Sequence, residues 1–571
     1  MNSEKQKMNK WVALSNTTLG AFMAALDGSI VIISLPAIFR GINLDPLSPS
    51  NIGFLLWTLM GYLVCTAVLV VALGRLGDIF GRVRMYNLGF VIFTLASVAL
   101  AMTPGQGPNA ALYLIFMRIF QGIGGALLLA NSTAILTDAF PPDQRGLAMG
   151  VNSIAFLSGS FLGLIVGGVL AAVNWRLIFW INVPFGVFGT IWAYMKLHDM
   201  GIKKAVKIDW WGNITFAVGL ILLLTGITYG IQPYKNQLMG WTSPSVLFEL
   251  IAGLILLTTF LIIEAKINEP MFDLSLFKIR AFSASNIANF LSAIGRGGLQ
   301  FMLIIWLQGI WLPLHGYSFE STPLWAGIYM LPLTLGFLLV GPVSGWLSDR
   351  YGAKYFATGG MILGAISFFL LMFLPANFSY WTFALLLFLN GLGSGFFASP
   401  NTTAAMNSVP AEKRGQASGM RATAMNAGQV LSIGIFFSLM IVGLASTLPH
   451  TMSSQLVAQG VPTSVANQIA SAPPVASLFS AFLGYNPMAQ LLPANVLASL
   501  PHANAVYITG TSFFPNLISN PFIAGLRIAF TFSMILFLLA AIASWMRGER
   551  YVHPDDEALR ARAETLEETI L

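Results

Sequence analysis

Gly74-Arg75-Leu76-Gly77-Asp78-Ile79-Phe80-Gly81-Arg82-Val83-Arg84 is a charged, glycine-rich turn set between two long apolar runs. A degenerate copy returns as Gly341-Pro342-Val343-Ser344-Gly345-Trp346-Leu347-Ser348-Asp349-Arg350-Tyr351-Gly352-Ala353-Lys354. Around both, the chain is almost free of charge: 56% of its 571 residues are hydrophobic and 9% charged, against roughly 25% charged in a soluble domain. A turn repeated between runs of about 20 apolar residues is a membrane pattern. The sequence therefore predicts an all-α, polytopic membrane protein.

Apolar segments of spanning length fall near 11–38, 51–73, 85–103, 110–136, 146–172, 176–196, 210–231, 244–265, 283–312, 324–347, 355–375, 379–408, 415–446 and 521–546. These make fourteen spans, an even number, so both termini fall on one side. Most of the 29 Lys and Arg lie in loops on that side, whereas Arg40, Arg176 and Lys235 lie opposite. The positive-inside rule then places both termini in the cytoplasm. The net charge of +7 belongs to these loops and is no nucleic-acid footprint.

An internal repeat divides the chain. Pro141-Pro142-Asp143-Gln144-Arg145-Gly146 returns as Val409-Pro410-Ala411-Glu412-Lys413-Arg414-Gly415, and Gln121-Gly122 as Asn390-Gly391, at an offset of 269 residues. The expected domains are a six-helix half over 1–200, two inserted helices over 201–270, a second six-helix half over 271–546, and a tail over 547–571. The stretch 447–520, on the outer side, holds no Asp, Glu, Lys or Arg. It reads either as a surface loop or as a cap over the outer mouth. The tail from Asp555 reads as a short acidic helix.

With the spans in place, the residues carry a resemblance. The turn, with Asp78 and Arg82 flanked by Gly77 and Gly81, resembles the signature loop between helices 2 and 3 of the major facilitator superfamily. Leu26-Asp27-Gly28 with Leu35-Pro36 in span 1, Arg118-Ile119-Phe120-Gln121-Gly122 in span 4 and Trp175-Arg176 with Asn182-Val183-Pro184-Phe185-Gly186 in span 6 resemble its fourteen-helix drug:proton antiporter branch. Gly150, Gly159, Gly163, Gly167 and Gly168 follow the spacing of that branch's span 5 motif, with Leu164 where the motif has proline. Gly159, Gly163 and Gly167 recur every four residues and present one face for close helix packing, while Leu164 removes the local cause of a kink.

The resemblance implies two six-helix halves that rock about a midplane cavity in a cell (plasma) membrane. It implies export of lipophilic, often cationic, compounds in exchange for protons, with the proton gradient as energy source. It also implies a relay among Asp78, Arg82 and Asp138 that locks the halves, with Asp78 against the start of span 13 and Asp349 and Arg350 as the second copy. Gly74, Gly77 and Gly81 would permit the tight turn.

Intramembrane charges supply the candidate site. Each costs roughly 2.5–3.5 kcal/mol on insertion scales, so Asp27 and Arg118 require partners. Counted from the outer ends of spans 1 and 4 they lie at similar depth. Two readings stand: Asp27 alternates between Arg118 and a proton, or the pair only fixes helix orientation. Arg296-Gly297 repeats the place of Asp27-Gly28, so Arg296 either faces Asp27 across one cavity or bonds to carbonyls and Asn289. Arg421 and Arg527, near span ends, are read as snorkelling. Asn131, Gln300, Asn390 and Trp306 complete the expected cavity wall.

No phosphate-binding loop is present, so ATP is not the expected driving force. Cys65 stands alone and no His or Cys cluster suggests a metal, so no cofactor is expected. The expected partners are the bilayer, a small lipophilic substrate and protons, with no nucleic acid and no obligatory protein. The alternatives are a lipid or metabolite exporter and a non-transporting sensor on the same scaffold. No residue set supports an enzyme.

Overall fold

The computed structural model describes residues 9–548 except 46, 49–50, 141–143, 200–208, 236, 238, 268–269, 271 and 411–412. The acidic part of the tail lies outside the described residues. Fourteen helices are long and apolar enough to cross a membrane: α1 (Lys10–Gly41), α2 (Asn51–Phe80), α3 (Arg82–Ala101), α4 (Gly107–Ala139), α5 (Arg145–Val173), α6 (Leu177–Lys196), α7 (Trp210–Gly230), α8 (Pro244–Lys266), α9 (Arg280–Leu314), α10 (Thr322–Ser348), α11 (Ala353–Leu371), α12 (Tyr380–Asn407), α13 (Arg414–Ala458) and α14 (Phe513–Trp545). The protein is an all-helical membrane-spanning bundle.

Local chemistry sets the helix ends. The Asn9 side chain accepts from Trp11 N and caps α1, and Asp209 accepts from Gly212 N and caps α7. These bonds satisfy amides that a helix start leaves unpaired. The two copies of the glycine-rich turn break alike, at Gly81 (φ 110°) and Gly352 (φ 87°). That backbone region is costly for any residue with a Cβ.

Helices α1–α6 pack on one another, chiefly α1 on α5 and α4 on α2 and α3. Helices α9–α14 do the same, chiefly α9 on α13 and α12 on α10 and α11. Between the groups α2 packs on α13 and α5 on α10. In the repeat α13 is the counterpart of α5 and α10 that of α2, so the two seams are related by one pseudo-symmetry. The inserted pair α7–α8 lies along the first seam, with α7 against both α2 and α13.

The termini end of the bundle is marked by Lys10 beside Gln144, Arg280 beside Met546 and Lys354 over the Trp545 ring; it carries most of the described basic residues. At the opposite, far end α5 and α10 touch through backbone: a Cβ on Gly168 would stand 2.4 Å from Leu324 Cα, and one on Gly327 2.7 Å from Leu164 O. Toward the basic end the same helices diverge, since a Cβ on Gly150 meets nothing within 4 Å and one on Gly341 meets only Phe337 of its own helix.

The stretch 447–520 is not a loop. Helix α13 runs on to Ala458, α14 starts at Phe513 rather than near 521, and five short helices lie between. Pro462, Pro473, Pro487, Pro493 and Pro501 each stand immediately before one of them. Proline suits a helix start, where its missing N–H is not needed. All nine residues of Pro474–Phe482 are buried. Phe479 meets Phe39 of α1 and Phe482 meets Phe301 of α9, while Ala481 O lies against Gly309. Within the stretch, Pro474–Phe482 is buried between the two halves at the far end, while other parts, Val506 and Tyr507 among them, are exposed.

Candidate functional site

Asp27 and Arg118 form an ion pair at 2.5 Å, with side chains 0% and 1% exposed. Five helices build its surroundings. Arg118 Nη1 donates to Asp27 Oδ2 and to Gln121 Oε1, and Arg118 Nε donates to Thr58 O of α2. Gln121 Nε2 donates to Asp27 Oδ1 (2.9 Å) and to Ser97 Oγ of α3 (2.9 Å). Asn182 Nδ2, from the first turns of α6, donates to Asp27 Oδ1 at 2.7 Å. The Arg118 guanidinium also lies over the Tyr62 ring, 4.6 Å from its centroid. Both carboxylate oxygens are thus engaged, and the charge is matched within one half.

The helix geometry explains the convergence. Arg118 and Gln121 are three apart and share a face of α4. Gly122, Gly124 and Gly125 allow α2 and α3 to approach that helix, since added Cβ atoms would fall 2.8 Å from Cys65 Cβ, 2.6 Å from Phe93 N and 2.6 Å from Tyr62 Oη respectively. Gly159 and Gly163 bring α5 onto α1 in the same way, their Cβ positions 2.3 Å from Phe22 O and 2.6 Å from Leu26 O, and that of Gly167 lies 2.5 Å from Ile33 Cγ2. Gly168 faces α10 instead, and Gly150 packs against nothing. Helix α5 is continuous through Leu164.

The other residues expected on the cavity wall differ in their surroundings. Asn131 is 0% exposed and donates to Leu127 O; its Oδ1 stands 1.9 Å from where a Cβ on Gly77 would sit, so it belongs to the α2–α4 contact. Trp306 is 1% exposed and packs on Phe378 and Phe383 inside the second half. Asn390, the counterpart of Gln121, is buried with neither amide atom bonded. Gln300 is half-buried. Arg296 does not meet Asp27: it is half-buried, 6.0 Å from the centroid of the Phe337 ring, and makes no hydrogen bond or ion pair among the described residues. Arg421 does not snorkel but turns toward Asn289 of α9. Arg527 is exposed, with Nε donating to Met372 O.

At the turn, Arg82 joins two acids: Nε and Nη2 reach Asp78 Oδ1 (2.8 and 2.7 Å), and Nη1 reaches Asp138 Oδ1 (2.7 Å). Asp199, which the sequence reading did not single out, accepts from Val83 N at 2.7 Å and lies against Gly81. An acid beside the first amides of α3 is a helix-start signal, hidden here because it arrives from the end of α6. Among the described residues Asp78 pairs with Arg82 and not with α13. Arg350 is exposed over Trp346, and the Asp349 side chain lies outside what is described. The link across the halves comes instead from Arg75 Nη2 and Gln416 Nε2, both donating to Pro270 O.

Gly77 and Asn131 give a measurable coupling. Gly77→Ala is expected to lower stability by about 1–3 kcal/mol through overpacking, and Asn131→Ala is expected to recover at least half of that. Chemical denaturation in detergent of the two single variants and the double variant checks it. Additive losses would show that the contact is not the cause.

The sequence pattern of the Major Facilitator Superfamily matches residues 17–433 and again 285–546. The chain is 30% identical to the riboflavin transporter RibZ of Clostridioides difficile over 75% of this chain and 88% of that one. It is 28% identical to the tetracenomycin C resistance and export protein of Streptomyces glaucescens (96% and 93%), and 27% identical to the multidrug resistance protein Stp of Mycobacterium tuberculosis (97% and 95%). In fold it is similar to a bacterial homolog of the human lysosomal transporter Spinster in an inward-facing conformation, with a TM-score of 0.56 at 13% identity over 95% of this chain and 97% of that one. With fourteen candidate spans, a repeated six-helix unit and a family match over most of its length, the chain belongs to the Major Facilitator Superfamily of membrane transporters.

Proposed function

We propose that this transporter exports lipophilic compounds across the plasma membrane in exchange for protons, with Asp27 as the proton carrier. The observation that carries the reading is the Asp27 carboxylate, fully buried yet held only by side chains: Arg118, Gln121 and Asn182. While the pair is intact, the Arg118 guanidinium balances the Asp27 charge. Helix movement that separates the two leaves a lone charge in a dry site, which a proton removes. Protonation is thereby tied to the arrangement of α1 against α4, and the gap between α5 and α10 at the basic end gives the alternating movement a direction.

The concentration of Lys and Arg at the basic end supports placing that end, with both termini, in the cytoplasm. The functions for which two relatives are named, tetracenomycin C resistance and export and multidrug resistance, support the export reading. No cofactor enters the scheme. A second reading, a lipid or metabolite cargo with an anionic group, is favoured by Arg296, whose half-buried guanidinium has no acid among the described residues.

The test is the purified protein in liposomes with an acid interior, followed by uptake of a lipophilic dye. For wild type, gradient-driven uptake well above the gradient-free level is expected. For Asp27→Asn it is expected to fall to that level. Undiminished uptake in the variant would remove Asp27 as the carrier.

A further inference from the structure

At the basic end of the second half, four helices bring two arginines together without an acid. Arg547, just past α14, is 5% exposed; its Nη2 donates to Asn401 Oδ1 of α12 and to Ser544 Oγ, while Nε and Nη1 have no partner. Arg421 on α13 reaches Asn289 Oδ1 of α9 only at 3.5 Å, and its Nε is also unpartnered. Asn401 donates to Ser285 O, one turn before Asn289, so both arginines are tied to the same stretch of α9. Burial and the charge of Arg421 push Arg547 down to about 10. Among the described residues neither arginine pairs with an Asp or Glu.

This arrangement is not what the scaffold needs. At the 269-residue offset the first half has Asn152 for Arg421, Gly20 for Asn289 and Ser132 for Asn401, all neutral. A guanidinium offers five N–H donors in a planar fork. Leaving charged donors buried and unbonded is costly, and two like charges side by side raise that cost. An anion with two or more oxygens would answer every unpaired donor at once.

We infer that Arg421 and Arg547, with Asn289 and Asn401 positioning them, form a binding site for the anionic group of a ligand, a phosphate or a carboxylate. Arg421, partly exposed where Arg547 is buried, marks the side from which that group would enter. Arg296 lies two turns further along α9 from Asn289, on the same helical face, so a bound anion would have a third cation ahead of it toward the middle of the bundle. The inference concerns binding and does not depend on proton exchange.

The test follows thermal unfolding of the full-length protein by tryptophan fluorescence. In maltoside detergent, inorganic phosphate is titrated against chloride at matched ionic strength. In nanodiscs, phosphatidylcholine alone is compared with phosphatidylcholine plus phosphatidylglycerol. Wild type is expected to show a saturable rise in midpoint with phosphate. The half-effect concentration is expected to increase about tenfold or more in Arg421→Gln and in Arg547→Gln, the loss of a charged hydrogen bond. Arg527→Gln, at the exposed arginine, is expected to match wild type. A rise with phosphatidylglycerol that both Gln variants lose, without any response to free phosphate, identifies a lipid headgroup as the source of the same chemistry. If a Gln variant does not fold, Arg421→Lys and Arg547→Lys carry the comparison: each keeps the charge but loses the fork, and should bind several-fold more weakly. A response equal in wild type and variants, or no response of wild type to either anion source, overturns the site.

Discussion

Arg118→Leu is expected to destabilise the protein by ~3–5 kcal/mol, the cost of breaking a buried ion pair from one side. The size follows from the surroundings. Asp27 is fully enclosed, so no water replaces the guanidinium, and Gln121 and Asn182 supply only neutral donors. Those two bonds soften the loss without cancelling a charge. The double variant Asp27→Asn/Arg118→Leu removes both charges and should recover more than half of the stability. Equilibrium unfolding of wild type, both single variants and the double variant, at one pH in one detergent, gives the coupling directly. A loss below about 1 kcal/mol for Arg118→Leu would place the pair in contact with water, and the proton-carrier reading would lose its physical basis.

Gly168→Val is expected to force apart the far ends of α5 and α10. The Cβ position of Gly168 is 2.4 Å from Leu324 Cα and 2.7 Å from Leu324 N. Both are backbone atoms, so no side chain can rotate away and the helices themselves must separate. Overpacking of this kind costs about 1–3 kcal/mol. Here that cost falls on the arrangement closed at the far end and not on one open there. Spin labels at Val173 and Ser318, measured by pulsed electron resonance, should move apart by about 3 Å or more, as interhelical spacing passes the usual 8–10 Å. Gradient-driven dye movement should fall in parallel. Gly150→Val, at a position with open space, should change neither. Identical label distances in wild type and Gly168→Val would sink the prediction.

The two variants probe features of unlike legibility. The glycine spacing in α5 is a sequence signal for close packing, because a period of four residues returns to one helical face. Which helix occupies that face is not encoded locally. Gly159, Gly163 and Gly167 meet α1, whereas Gly168, one residue on, meets α10 of the other half. A step of one residue turns about 100° around the helix, enough to exchange an internal contact for one between halves.

Length, composition and local chemistry were enough for part of this architecture. Spanning helices follow from apolar runs of bilayer length, and the break at Gly81 and Gly352 follows from a backbone only glycine adopts readily. The likeness of the halves follows from a repeat at constant offset, and the depth match of Asp27 and Arg118 from helical rise alone. Tertiary packing settled which polar groups meet. It turned Asn182 of α6 onto Asp27, gave Asn131 to the α2–α4 contact, enclosed Trp306 in aromatic rings and kept Arg296 apart from Asp27. It also folded the uncharged stretch 447–520 into helices and buried the proline-started Pro474–Phe482 between the halves, where composition alone fits a loop as well as a cap. The physical reason is that periodicity reports how much of a helix is buried, while the identity of the partner depends on rotation and depth against helices distant in sequence. In a chain this apolar, nearly every face of every helix is equally suited to burial, so packing and a few intramembrane charges make the choice.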